Sequence, residues 1–185
     1  LVGSEMCIRD SFLSYFVQEL ASAEGITDVG SRDLWVGVVI AVYSLAQFIF
    51  TPILGSLSDR VGRRPVLMFG LLSNTVFFVV FGLSGSLSMA IIARFLAGAG
   101  NGNIAVTRAY IGDISEPEMV ARRMGMIGAA FGLGFMFGPF IGGVLSDPAS
   151  GLGGAFATTF WADYPYLLPC LFSSAMSLIA FILAF

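Results

Sequence analysis

Long apolar runs separated by short polar connectors dominate this chain. Positions 34–58 hold 25 consecutive residues without a charge, and no charge lies between Arg64 and Arg94. A helix needs about 20 residues to cross a bilayer, and runs of this length satisfy that. The same alternation predicts helices over 34–57, 65–81, 87–112, 124–145 and 165–185, with a shorter apolar piece at 12–20. That first piece is too short to span and reads as what remains of a truncated first helix. Trp35 stands at the outer end of the second helix, and Trp161, Tyr164 and Tyr166 cluster where the sixth begins. Rings of this kind suit the membrane interface.

Composition sharpens the picture. With 57% hydrophobic and 11% charged residues and a mean hydropathy of +0.89, the chain would expose more apolar surface than water tolerates. The expected class is an all-α integral membrane protein, multi-pass, with the lipid bilayer as its surroundings and no nucleic-acid partner. All nine cations are arginine, and there is no histidine, which removes histidine-ligated metals, bases and proton relays. Cys7 and Cys170 are too few for a disulfide framework or a paired metal motif, so neither metal nor cofactor is expected. Residues 1–11 resemble a translated sequencing adapter and are set aside as a scar, and the stop inside an apolar run at Phe185 reads as a truncated frame.

Charge placement gives the orientation. Arg60, Arg63, Arg64, Arg122 and Arg123 fall in the connectors after the second and fourth helices, and Arg32 is the one arginine in the connectors after the first, third and fifth. Arginine-rich short connectors face the cytoplasm.

The connector after the second helix reads Gly55-Ser56-Leu57-Ser58-Asp59-Arg60-Val61-Gly62-Arg63-Arg64-Pro65. Gly55 offers a close approach to a neighbouring helix, while Asp59 and Arg63 sit one turn apart. This stretch resembles the GxLxDRxGRR signature of the major facilitator superfamily, at Gly55, Leu57, Asp59, Arg60, Gly62, Arg63 and Arg64. The resemblance implies the N-terminal six-helix half of that fold, with helix 1 truncated and three-helix inverted repeats around a midplane site. It also implies a protein that is monomeric at full length. In this frame Asp113, ending the fourth helix, is positioned to meet Arg63 and close a cytoplasmic latch. A solvated surface ion pair is the plainer reading of the same charges.

The fourth helix places Arg94, Asn101 and Arg108 at seven-residue spacing, hence on one helix face. A cation at membrane depth costs at least about 2.5–3.5 kcal/mol and is expected to face a cavity or a partner. Arg108, near the cytoplasmic face, reads as snorkelling. Arg94 with Gly98 and Gly100 resembles the RxxxGxG pattern of the family's fourth helix, whose arginine is linked to proton coupling; Ala97 departs from that pattern, which often has Gln. Tyr43 and Gln47, a turn apart on the second helix, are either cavity contacts or buried interhelical hydrogen bonds.

In the fifth helix Gly125, Gly134, Gly138, Pro139, Gly142 and Gly143 resemble the Gx8Gx3GPx2GG antiporter motif of proton-linked exporters. The glycines suit close helix packing, and Pro139 removes one backbone hydrogen bond. Asn101-Gly102-Asn103, Ala109-Tyr110 and the stretch from Gly143 to Ala149 look similar to the zinc-induced-facilitator-like branch. Together the resemblances imply proton-coupled antiport of a small organic compound or metal chelate, as in multidrug efflux, at a plasma or vacuolar membrane. A facilitator or symporter, or a non-transporting receptor of the same fold, are the alternatives. An embedded enzyme would need a nucleophile with its base at membrane depth, and none is evident. The interior of the second to sixth helices also holds no Asp or Glu, so a proton-carrying carboxylate would lie elsewhere.

Overall fold

The computed structural model describes residues 2–101, 103–145, 164 and 166–184, with 2–11, 103 and 104 as backbone only. Every regular element among them is a helix: α1 (Val2–Ala23), α2 (Val29–Val61), α3 (Arg63–Gly82), α4 (Leu87–Gly100), α5 (Asn103–Ile114), α6 (Pro117–Leu145) and α7 (Leu167–Ala184). Five spans are long and apolar enough to cross a membrane: α2, α3, α4 with α5, α6 and α7. Residues 146–163 lie outside the described residues, and with them Trp161 and the last part of the branch-level resemblance.

Local chemistry sets the helix ends. Asp28 caps α2 by accepting from the Ser31 backbone N–H at 2.8 Å and from its hydroxyl at 2.9 Å. These bonds hold the Asp28 carboxyl below its ordinary range. Gly62 alone separates α2 from α3: its N–H closes α2 on the Ser58 carbonyl, and its φ of 107° is one that a side chain would resist. Ser86 caps α4 at Met89, and Glu24, from the α1–α2 connector, accepts from the Leu87 N–H at 2.8 Å. Pro117 starts α6 at a position where its missing N–H costs nothing.

α4 packs against α2 and α3, α7 lies along α3, and α1 runs against α2, α6 and α7. The larger core sits toward the end of the bundle away from the α2–α3 corner, around Phe16, Val17, Val39, Phe81, Ala90 and Cys170. A smaller one joins Leu54, Val66 and Val106 near that corner. Elsewhere the outer surface is apolar: Phe48, Phe135, Met136 and Phe140 are all exposed, as suits a lipid or helix neighbour and not water.

Several boundaries differ from expectation. α1 begins at Val2, not at 12, α2 and α3 are longer at both ends, and α6 begins at Pro117 instead of 124. The connectors are short because polar residues next to an apolar run still take helical conformation and extend beyond the membrane. The fourth helix is not continuous over 87–112: it ends at Gly100 and resumes at Asn103. Glycines at 98, 100 and 102 weaken the helix there, and Asn101 spends its side chain on other helices.

Candidate functional site

Asn101 lies midway along the span 87–114 and is 1% exposed. Its Nδ2 donates to the Tyr43 hydroxyl, its Oδ1 accepts from Asn74 Nδ2 at 3.3 Å, and its backbone carbonyl accepts from Gln47 Nε2 at 3.4 Å. One side chain therefore ties α2 and α3 to the break between α4 and α5. Such bonds hold best where water is excluded and a register must be fixed. Asn74 was not singled out from sequence, although an amide inside the apolar run 65–81 was a signal available there.

Arg94 stands two turns before Asn101 on α4 and is 2% exposed. Its guanidinium carbon lies 4.6 Å from the Phe81 ring centroid and 5.7 Å from that of Tyr43. Ring faces stabilise a cation taken from water, and this pair places it between α2 and α3. Tyr43 thus faces Arg94 with its ring and Asn101 with its hydroxyl. Phe81 was a further residue the sequence reading did not separate from ordinary core. Close approach makes the arrangement possible: a Cβ at Gly98 would lie 2.5 Å from the Tyr43 carbonyl oxygen, and one at Gly100 would lie 2.1 Å from Ser73 Oγ.

Arg108 is exposed, as its snorkelling reading expects, whereas Arg94 and Asn101 are buried, and the helix is interrupted at Asn101. Beside α2, Gln47 also lines an open groove of about 610 Å³ with Ser44, Phe48, Thr51 and Pro52. Gln47 is therefore both a groove residue and an interhelical donor.

At the end of the bundle that holds the α2–α3 corner, Arg63 Nε donates to Asp113 at 2.9 Å, Arg63 Nη1 meets Asp59 at 2.6 Å, and Nη1 also donates to the Ser58 hydroxyl at 3.0 Å. Arg64 Nε donates to the Ala184 carbonyl of α7 at 2.9 Å. Arg60 is exposed. Among the described residues, a Cβ at Gly55 would meet nothing within 4 Å. Its neighbour Leu54 packs in the smaller core.

In α6 the buried residues among those described are Gly134, Gly138 and Gly142, one helix edge, with α1 packed alongside. Pro139 lies inside the helix and exposed, while a Cβ at Gly125 or Gly143 would meet nothing within 4 Å among the described residues. Among the described residues, no three His, Cys, Asp or Glu side chains converge to hold a metal.

Comparison with known proteins gives a consistent result. The family model described as Major Facilitator Superfamily matches residues 10–185. Protein ZINC INDUCED FACILITATOR 1 of Arabidopsis thaliana is 32% identical over 173 residues, covering 93% of this chain and 35% of its own length. Tetracycline resistance protein, class C, of Escherichia coli is 43% identical over 109 residues, 59% of this chain and 28% of its own length. The crystal structure of the human organic anion transporter MFSD10 (TETRAN) matches with a TM-score of 0.71 at 21% identity, over 98% of this chain and 44% of that one. The chain spans about a third of the length of the curated relatives it matches.

Proposed function

The chain belongs to the Major Facilitator Superfamily, and from that premise we propose that it serves secondary active transport: proton-coupled antiport of a small organic compound or metal chelate by alternating access. It is an integral, multi-pass membrane protein. The observation that carries the reading is Arg94, a cation buried between the rings of Tyr43 and Phe81 beside the Asn101 hydrogen bonds. A charge kept at membrane depth is expensive to hold for packing alone, and a role in coupling gives it a use. Gln47 and Tyr43 then serve as contacts on the cavity side of α2. The Arg63–Asp113 pair serves as a gate that biases one rocking state, and the glycine edge of α6 lets helices slide in close contact. The proton carrier is a carboxylate outside the interior of these helices.

The names of the relatives supply the probes, tetracycline and a zinc–chelator complex. The protein as its gene encodes it, reconstituted in liposomes, is expected to move at least one of them against an imposed proton gradient, working as a monomer. Arg94→Ala should abolish that flux at unchanged protein content. Flux that ignores the gradient points to a facilitator; gradient-driven flux retained in Arg94→Ala overturns the role of Arg94. Binding without flux leaves a receptor of the same fold. The native membrane of this proposal is the plasma or vacuolar membrane, and no enzymatic reaction is part of it.

A further inference from the structure

At the outer end of the bundle, away from Arg94 and the α2 groove, a cavity of about 210 Å³ opens between the C-terminal turns of α1, the α3–α4 turn and the start of α7. Phe16, Tyr164 and Tyr166 form its aromatic wall, Glu19 stands at its rim, and Gly82 and Ser84 close it at the α3–α4 turn. Phe16 makes a T-shaped pair with Phe81 at 5.2 Å and lies 5.1 Å from Tyr166, so packing beneath the cavity holds the Phe16 and Tyr166 rings. Among the described lining residues Glu19 carries the one formal charge, and it is negative.

We propose that this cavity binds an organic ammonium group, with the rings of Phe16, Tyr164 and Tyr166 against its alkyl surface and the Glu19 carboxylate neutralising its charge. Aromatic faces attract a diffuse, weakly hydrated cation, the chemistry by which quaternary ammonium groups are recognised. A hydrated metal ion would instead require several oxygen ligands, and one carboxylate does not provide them. The volume is below that of drug-sized pockets and fits a small head group. Two sources share this chemistry: the choline head group of a lipid, since the cavity lies where helices leave the membrane, and a free ammonium compound.

The proposal stands apart from the transport reading and is tested without flux. The protein as its gene encodes it is placed in phosphatidylglycerol nanodiscs and titrated calorimetrically with choline, tetramethylammonium and the neutral carbon isostere of choline. Both cations should bind and the isostere should not. Glu19→Gln and Tyr166→Ala should each weaken binding by about tenfold, while Tyr166→Phe, which keeps the ring, should retain it. Repetition in phosphatidylcholine nanodiscs assigns the source: a lowered apparent affinity identifies the lipid head group as occupant, and an unchanged one identifies a free ammonium ligand. Absence of binding, equal binding of the isostere, or wild-type affinity in both weakened variants would overturn the proposal.

Discussion

Arg63 and Asp113 meet at 2.9 Å across fifty residues of sequence, and each stands at the helix end that least favours its charge. Arg63 is the first residue of α3 and Asp113 lies in the last turn of α5, so each opposes its own helix dipole and is relieved by the other. With side chains 24% and 58% exposed, the pair is screened and is worth about 0–1 kcal/mol to stability. In the proposed gate its weight would lie in which conformation it joins. Asp113→Asn should therefore change thermal stability by less than about 1 kcal/mol while lowering transport, and the exchange Arg63→Asp with Asp113→Arg should restore part of the loss. Asp59, which also holds Arg63, limits that recovery. Melting curves and liposome flux on the single and double variants measure both quantities.

Two glycines of the sequence motifs should respond oppositely to alanine. Gly98→Ala drives a methyl to 2.5 Å from the Tyr43 carbonyl oxygen, which is backbone and cannot rotate away, so a loss of about 1–3 kcal/mol is expected. Gly55→Ala meets open space inside a helix and should be neutral or stabilising by up to about 1 kcal/mol. Thermal unfolding in one detergent, wild type beside both variants, decides it.

Tyr43→Phe keeps the ring beside Arg94 and removes the hydroxyl that accepts from Asn101. The expected cost is about 0.6–1.7 kcal/mol, the range of interhelical hydrogen bonds inside a membrane bundle. Tyr43→Leu removes ring and hydroxyl together and should cost more. Equal stability of the two variants would mean that the ring contributes nothing to holding Arg94.

Asp28 provides a pH test outside the membrane. Its carboxyl is held below its ordinary range by the Ser31 backbone N–H first and the Ser31 hydroxyl second. A lowered folded value means that the cap stabilises the helix start above the ordinary carboxylate pKa of about 3.9 and is lost as pH falls through the lower folded value. Hydrogen exchange at the Ser31 amide should accordingly stay slow near neutral pH and quicken below about pH 4, beyond the intrinsic trend. Asp28→Ala should show the faster exchange at every pH.

Much of the architecture was legible because membrane crossing demands long apolar runs, and runs such as 34–58 have few other uses. The contact of Arg63 with Asp113 was also within reach of sequence, through charges placed at two connectors on one side. The break at Asn101 was not. Seven-residue spacing from Arg94 to Arg108 assumes unbroken helix; the local glycines weaken it, and the positions of Tyr43, Asn74 and Gln47 on neighbouring helices make leaving the helix worthwhile for Asn101. What faces Gly55 was not legible either: glycine permits a close neighbour without requiring one.

Gly62 is the whole connection between α2 and α3, and this leaves no slack at that corner. A tilt of α2 must carry the first turn of α3 with it, since one residue cannot absorb the displacement as a longer loop would. Arg63 rides on that turn, gripping Asp113 of α5. In the proposed transport cycle, movement of α2 would thereby be delivered to α3 and α5, with the corner acting as a bell-crank.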